Sequence, residues 1–224
     1  MPWRFAVIPT GIVDIVAAVP RGRLVSIEGL DGSGKTTLAA ALARALEEDG
    51  VPVRALREPG GVAASERIRA VVLDPELHVG ARAEALLYAA ARAQLVEEAI
   101  EPALAAGTWV LLDRFTDASL AYQGGGRALG IDEVAAVNAF ATGGLVPDRT
   151  LLLRIDPGAG RARQAGRGAP PDRMELQDET FHAAVAAAYE RLAELEPERV
   201  RVLDAAASPE DVLAQALREL EDLR

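Results

Sequence analysis

Cysteine is absent from the 224-residue chain. That excludes disulfides, thiolate metal sites and cysteine nucleophiles. Histidine occurs twice, at His78 and His182, which is too few for a histidine metal cluster. Of the 24 lysine and arginine residues, one is lysine, Lys35. Acidic residues outnumber basic ones and the net charge is -10. An acidic chain lacks the broad basic face of a nucleic-acid coat or a membrane-surface protein, although it leaves room for a local basic site. No apolar run reaches the ~18 residues that a membrane helix needs. The nearest, from Phe5 to Val19, is interrupted by Pro9, Thr10, Gly11 and Asp14. It is too broken for a signal peptide, so the chain is expected to be cytoplasmic, without membrane or nucleic-acid partners. Residues 1–22 are expected to be an N-terminal extension.

Half the residues are hydrophobic, enough for a sizeable core, and the length suits one domain at ~150 residues per domain. Short apolar runs alternate with helical patterns. Strands are expected at Leu24–Glu28, Val51–Arg57, Thr108–Asp113, Thr150–Ile155 and Val200–Asp204. Helices are expected at Thr36–Asp49, Ala63–Leu73, Arg82–Ala106 (with Pro102 as a kink), Ile131–Thr142, Asp178–Glu196 and Pro209–Leu223. Strands separated by helices indicate an α/β fold, a five-stranded parallel sheet with helices on both faces. Two stretches read as loops: Gln123–Arg127, and Gly158–Arg173 with Arg161, Arg163, Arg167 and Arg173. Taken alone, the second is a solvated linker or an anion-facing lid, and four arginines beside one acidic residue favour the lid.

Gly29-Leu30-Asp31-Gly32-Ser33-Gly34-Lys35-Thr36 fits the phosphate-loop pattern G-x-x-x-x-G-K-[ST]. Glycines let main-chain N–H groups turn inward around phosphate oxygens, and the helix that follows adds the positive end of its dipole. Lys35 would reach the outer phosphates and the Thr36 hydroxyl would ligate Mg²⁺, with Thr37 completing the cradle. At this composition the pattern arises by chance in about five sequences per ten thousand. The chain's one lysine occupies the position where a compact point charge matters. Asp113 ends an apolar strand; by itself it is either a second Mg²⁺ holder or a turn aspartate. These residues make a nucleoside-triphosphate site without naming the reaction.

Further pieces follow in order. They are Arg57-Glu58-Pro59-Gly60-Gly61, then Arg69, then Tyr88 and Arg92 in LLYAAARAQ, then Asp113-Arg114-Phe115 running to Ala121-Tyr122-Gln123-Gly124. Behind a GLDGSGKTT loop, this order closely resembles the thymidylate kinase family, from about Arg23 to the C-terminus.

The resemblance implies a P-loop kinase fold over residues 23–224 with a lid at about 158–174. It also implies Mg²⁺-dependent transfer of a phosphoryl group from ATP to dTMP, and a homodimer. It places Glu58 and Pro59 in the acceptor site and makes Arg69 and Arg114 clamps on the acceptor phosphate. Tyr88 would stack on the thymine and Arg92 would meet its carbonyl edge, one helical turn away on the same face. Ser119 and Gln123 would border base and sugar, Tyr122 would favour deoxyribose, and Asp31 would meet the sugar hydroxyl. Some members carry a catalytic arginine inside the phosphate loop. Here that position is Gly32, so the role would pass to Arg163 and Arg167 of the lid. Asp172-Arg173 with Glu175 would anchor the lid. Four positions depart from common family residues: Tyr88 for Phe, Phe115 for Tyr, Ala118 for Ser and Arg154 for Asp. The alternatives are a kinase for another nucleoside monophosphate, an ATP-hydrolysing switch and a degenerate, inactive homologue with a structural role.

Overall fold

The computed structural model describes residues 20–166, 168 and 170–224. Most of the expected extension, and Arg167 of the expected lid, lie outside the described residues.

The first strand, β1 (Leu24–Gly29), is buried along its whole length, as an apolar run in a parallel sheet must be. It leads through the phosphate loop into α1 (Lys35–Glu48), whose Leu38, Leu42 and Leu46 form one buried stripe. Burying each leucine stabilises the fold by about 1.5–3 kcal/mol. Next come β2 (Val53–Arg57), α2 (Ala63–Leu73) and α3 (Ala81–Leu95). A π-helical turn, Val96–Ile100, joins α3 to α4 (Glu101–Ala105), then come β3 (Trp109–Asp113) and the single turn α5 (Thr116–Ser119). A second π-helical segment, Leu120–Gly126, precedes α6 (Ile131–Thr142) and β4 (Arg149–Arg154). The chain finishes with α7 (Pro157–Ala165), α8 (Glu179–Leu195), β5 (Val200–Asp204), α9 (Pro209–Glu219) and a short 3₁₀ turn, Glu221–Leu223.

The five strands are all parallel, in the order β2-β3-β1-β4-β5. Strand alternation divides the core in two. Val25, Ile27 and Leu111 face one side with Leu42 and Val185, while Leu24, Val110 and Leu112 face the other with Leu95 and Ile100. Asp113 is in register with Ile27 of β1 and with Arg57 of β2. β2 and β3 therefore end level, with β1 running two residues further, and ligands of open α/β sheets bind outside such carboxyl ends.

The kink expected at Pro102 within Arg82–Ala106 takes the form of a π-turn just before it. Proline has no N–H and its ring crowds the carbonyl four residues back, so the turn widens to accommodate it. Gln123–Gly126 is not a loop but part of the second π-helical segment. Its glycines allow close helix packing: a Cβ at Gly125 would lie 2.7 Å from the Ala188 methyl, and one at Gly126 2.6 Å from the Phe181 ring. The lid segment begins as a helix, α7, started by the Asp156 side chain accepting from the Ala159 N–H at 3.0 Å and by Pro157.

Candidate active site

The phosphate loop turns where β1 ends. Gly34 closes it in a left-handed conformation and leaves the α1 N-terminus with no side-chain cap. Its first N–H groups thus stay free for an anion. Lys35 is buried and folds back across the loop, donating from Nζ to the carbonyls of Gly29 at 3.1 Å and Leu30 at 2.9 Å. Burial, followed by the nearby Arg114, pushes its ammonium group down to about 8. The Ser33 hydroxyl is buried without a partner, an orphan that a phosphate oxygen would satisfy. Gly32 sits at φ 80°, and a Cβ there would lie 2.1 Å from the Gly160 carbonyl oxygen of α7.

The Thr36 hydroxyl donates to Asp113 Oδ2 at 2.7 Å. This pair joins the start of α1 to the end of β3. It is an oxygen-only donor set beside the cradle, which fits Mg²⁺ held jointly with substrate phosphates. No cluster of three or more acidic, histidine or cysteine residues suited to a metal occurs among the described residues. The protein would therefore supply few ligands of its own.

A cavity of about 640 Å³ adjoins this cradle. Asp31, Lys35 and Thr36 of the loop and helix start line it, together with Tyr88, Ser119 and Gln123. Arg69 and Arg114 also line it. Arg69 donates to the Pro59 carbonyl at 2.9 Å, so the Glu58–Pro59 turn holds it. Arg114 has a left-handed backbone, φ 73°, which costs a non-glycine residue about 1–3 kcal/mol and is typical of functional positions. Its guanidinium reaches Gly29 O at 2.8 Å and Asp31 Oδ1, and lies 5.3 Å from the Tyr122 ring centre. Burial alone would raise the Asp31 carboxyl, but Arg114 and then Lys35 hold it below the usual carboxylate value.

Arg92 is 1% exposed. Its Nε donates to Glu58 Oε2 at 2.7 Å, Nη1 to Ser119 Oγ at 2.9 Å and to Asn138, and Nη2 to the Phe115 carbonyl at 2.9 Å. Nη2 also lies 2.7 Å from Glu58. Four of the five N–H groups of this guanidinium donate to protein acceptors, so a ligand has little of it left to meet without sharing or exchanging one of them. Burial raises the Glu58 carboxyl and Arg92 opposes it. Glu58 Oε1 is buried without a partner.

The lid arginines are placed differently. Arg163 donates to the Ala205 carbonyl at 2.9 Å and Arg161 pairs with Glu179. Arg173 is buried against Glu84 and the Val72 carbonyl. Beside it Asp172 accepts from the Met174 and Glu175 N–H groups, and Glu175 from the Asp172 N–H.

Four polar groups escaped the sequence reading. Glu28 is fully buried; it accepts from the Phe115 N–H at 2.7 Å and the Tyr189 hydroxyl at 2.9 Å. Burial, and then Asp117, push its carboxyl up to about 8. Asp117 accepts from Arg199 at 2.6 and 2.9 Å and from Thr150 at 2.7 Å, which fixes α5 and with it Ser119. Asn138 supports Arg92, and Glu84 gathers Gln123, Arg127 and Arg173. The available signal was a charged or amide residue inside an apolar run, as at Glu28 in LVSIEG or Asn138 in IDEVAAVNAFAT.

The family model described as "Thymidylate kinase" matches residues 27–216. Similar proteins include the thymidylate kinase of Halorhodospira halophila, 47% identical over 201 residues and covering 88% of this chain and 93% of that protein. That of Rhizorhabdus wittichii is 46% identical over 204 residues, 90% of this chain and 98% of its own. That of Deinococcus radiodurans is 48% identical over 193 residues, 86% and 93%.

Proposed function

The chain belongs to the thymidylate kinase family, and from that premise we infer that it transfers the γ-phosphoryl group of ATP to dTMP, giving dTDP and ADP. One observation carries the reading: a single cavity is lined both by the phosphate cradle and by Tyr88, Arg92 and Gln123, with Arg69 and Arg114 also in its lining. Such a cavity suits two phosphate-bearing ligands placed end to end.

The reaction needs no protein nucleophile. A phosphate oxygen of dTMP attacks the γ-phosphorus of ATP, the bond to the β,γ-bridging oxygen breaks, and ADP leaves with the electron pair. Catalysis is positioning and electrostatic stabilisation. Gly29 to Thr37 hold the donor phosphates through main-chain N–H groups and Lys35. Arg69 and Arg114 grip the acceptor phosphate by forked hydrogen bonds and aim it in line. Asp31, kept ionised by Arg114, receives the sugar hydroxyl. Tyr122 crowds the 2′ position, Tyr88 stacks on the base, and the joined Arg92 and Ser119 meet its carbonyl edge.

Thr36 and Asp113 would hold Mg²⁺, which when bound neutralises charge on the phosphates. Arg163 and Arg167 complete the site in our reading once Arg163 exchanges the Ala205 carbonyl for phosphate. We assign the kinase domain to residues 23–224 and the preceding 1–22 to an extension. We place the protein in the cytoplasm, with small-molecule rather than nucleic-acid or membrane partners. No helix among the described residues is long and apolar enough to cross a membrane. We also propose a homodimer: Phe140 on α6 is 92% exposed, a ring that a second copy would cover.

The deciding experiment is a coupled ADP-release assay over a panel of monophosphates. dTMP should be turned over fastest. Faster turnover of CMP, GMP or dUMP overturns the base assignment, and ATP loss indifferent to every monophosphate overturns the kinase reading.

A further inference from the structure

Glu84 lies in the first turn of α3, four residues before Tyr88 and eight before Arg92, and so on the same face of the helix. It is 0% exposed. Three side chains from two distant parts of the chain converge on its two oxygens. Gln123 Nε2 donates to Oε1 at 2.9 Å. Arg127 donates from Nε to both oxygens, at 3.1 and 3.2 Å, and from Nη2 to Oε2 at 2.9 Å. Arg173 Nη1 donates to Oε2 at 2.7 Å, while its Nε gives to the Val72 carbonyl at 2.7 Å and its main-chain N–H to Leu73 O at 3.1 Å.

Each of these partners leads back to the cavity. Gln123 lines it directly. Arg173 follows Asp172, which also lines it. Arg127 closes the π-helical segment that carries Tyr122 and Gln123, and lies 4.6 Å from the Phe181 ring centre of α8. Burial would raise the Glu84 carboxyl, but its bonds to Arg127, Gln123 and Arg173 hold it below the ordinary value. It is therefore charged at neutral pH.

For stability alone such a cluster is a poor device. Replacing a buried ion cluster by apolar side chains of similar volume is often neutral or stabilising. What forked guanidinium groups and a carboxylate supply is direction, because they fix angles as well as distances.

Resting on the phosphoryl-transfer reading above, we propose that Glu84 is a positioning residue of the acceptor pocket, acting through Gln123 on one side and through Arg173 on the other. It sets the distance between the helix that carries Tyr88 and Arg92 and the segments that carry Gln123 and Asp172. It touches neither nucleotide.

The test is a double-mutant cycle of Glu84→Gln, Gln123→Ala and both together, with the monophosphate that the wild type turns over fastest varied at saturating ATP. Glu84→Gln should raise the KM for that acceptor about tenfold, the size of one lost charge-assisted hydrogen bond, with kcat and the KM for ATP within about twofold. Gln123→Ala should raise it similarly, and the double variant should be far less impaired than the product of the two. Independent, multiplicative effects overturn the proposal. So does a lower kcat with an unchanged acceptor KM, the sign of a merely structural role. If Glu84→Gln fails to fold in a thermal melt, Glu84→Asp, which keeps the charge on a shorter arm, carries the same cycle. Should an acceptor other than dTMP prove best, the base assignment falls while the cycle still decides the role of Glu84.

Discussion

In our reading the donor cradle is nine consecutive residues, Gly29 to Thr37, whose main-chain N–H groups would do most of the holding. The acceptor pocket draws on the turn after β2, on α2, α3, α5 and the π-helical segment, and on β3's end, and it works through side chains. In the first region function depends on backbone shape and a few atoms. In the second it depends on buried polar pairs that hold one another in place: Arg92 with Glu58, Arg114 with Asp31, Glu84 with Arg127 and Arg173. The cradle should therefore fail by losing chemistry, and the pocket by losing shape.

The largest expected effect tests the cradle. Lys35→Ala should lower kcat by about a thousandfold or more in the ADP-release assay, because it removes a phosphate charge in a water-poor site. Calorimetric binding of dTMP should change by less than about twofold. A comparable loss of dTMP affinity would break the division between the two regions.

Arg92→Ala tests the pocket. It strips a buried carboxylate, Glu58, of its partner, and breaking such a pair costs about 3–5 kcal/mol. Both a lower melting temperature and an acceptor KM raised about a hundredfold are expected, with the KM for ATP nearly constant. An unchanged acceptor KM would remove Arg92 from substrate recognition.

Gly125→Ala should do less. The added methyl meets the Ala188 methyl of α8 and should destabilise by about 1–3 kcal/mol through overpacking, read as a lower denaturant midpoint. An unchanged midpoint would show that the π-helical segment and α8 are not in close contact.

The remaining test is a pH slope. In the folded protein the Glu28 carboxyl is raised from its ordinary 4.5 to about 8. The folded state thus binds this proton more tightly than the unfolded state. The corresponding stabilisation is complete below about pH 4.5 and is lost as the pH rises towards 8. Glu28→Gln cannot titrate, so its melting temperature should gain on the wild type by a few degrees between pH 5 and pH 8. A constant gap would mean that Glu28 is ionised throughout.

The two regions also differed in how far the sequence revealed them. The five strands were legible because each is a short apolar run between helical patterns, and Val200–Asp204 falls where the pattern puts it. The cradle was legible because its parts are adjacent in sequence. Arg69, Tyr88, Arg92, Arg114 and Gln123 were named through family resemblance, and the structure brings them to one cavity. Their supports were not legible. Nothing local in the sequence pairs Glu84 with Arg173 across 89 positions, or Glu28 with Tyr189 across 161. The glycines at 124–126 were misread for a related reason: small residues signal a loop when seen alone and a helix crossing when the partner helix is known. In the lid, composition pointed to anions, yet Arg161 and Arg173 have carboxylate partners within the protein, and Arg163 a main-chain carbonyl.

The contact of Gly32 with the Gly160 carbonyl has an evolutionary consequence. Any side chain at position 32 would prop α7 off the loop by its first carbon alone. An arginine could be moved from lid to loop only by a chain that also re-routed α7. On this backbone a side chain at position 32 and α7 in its present place exclude one another.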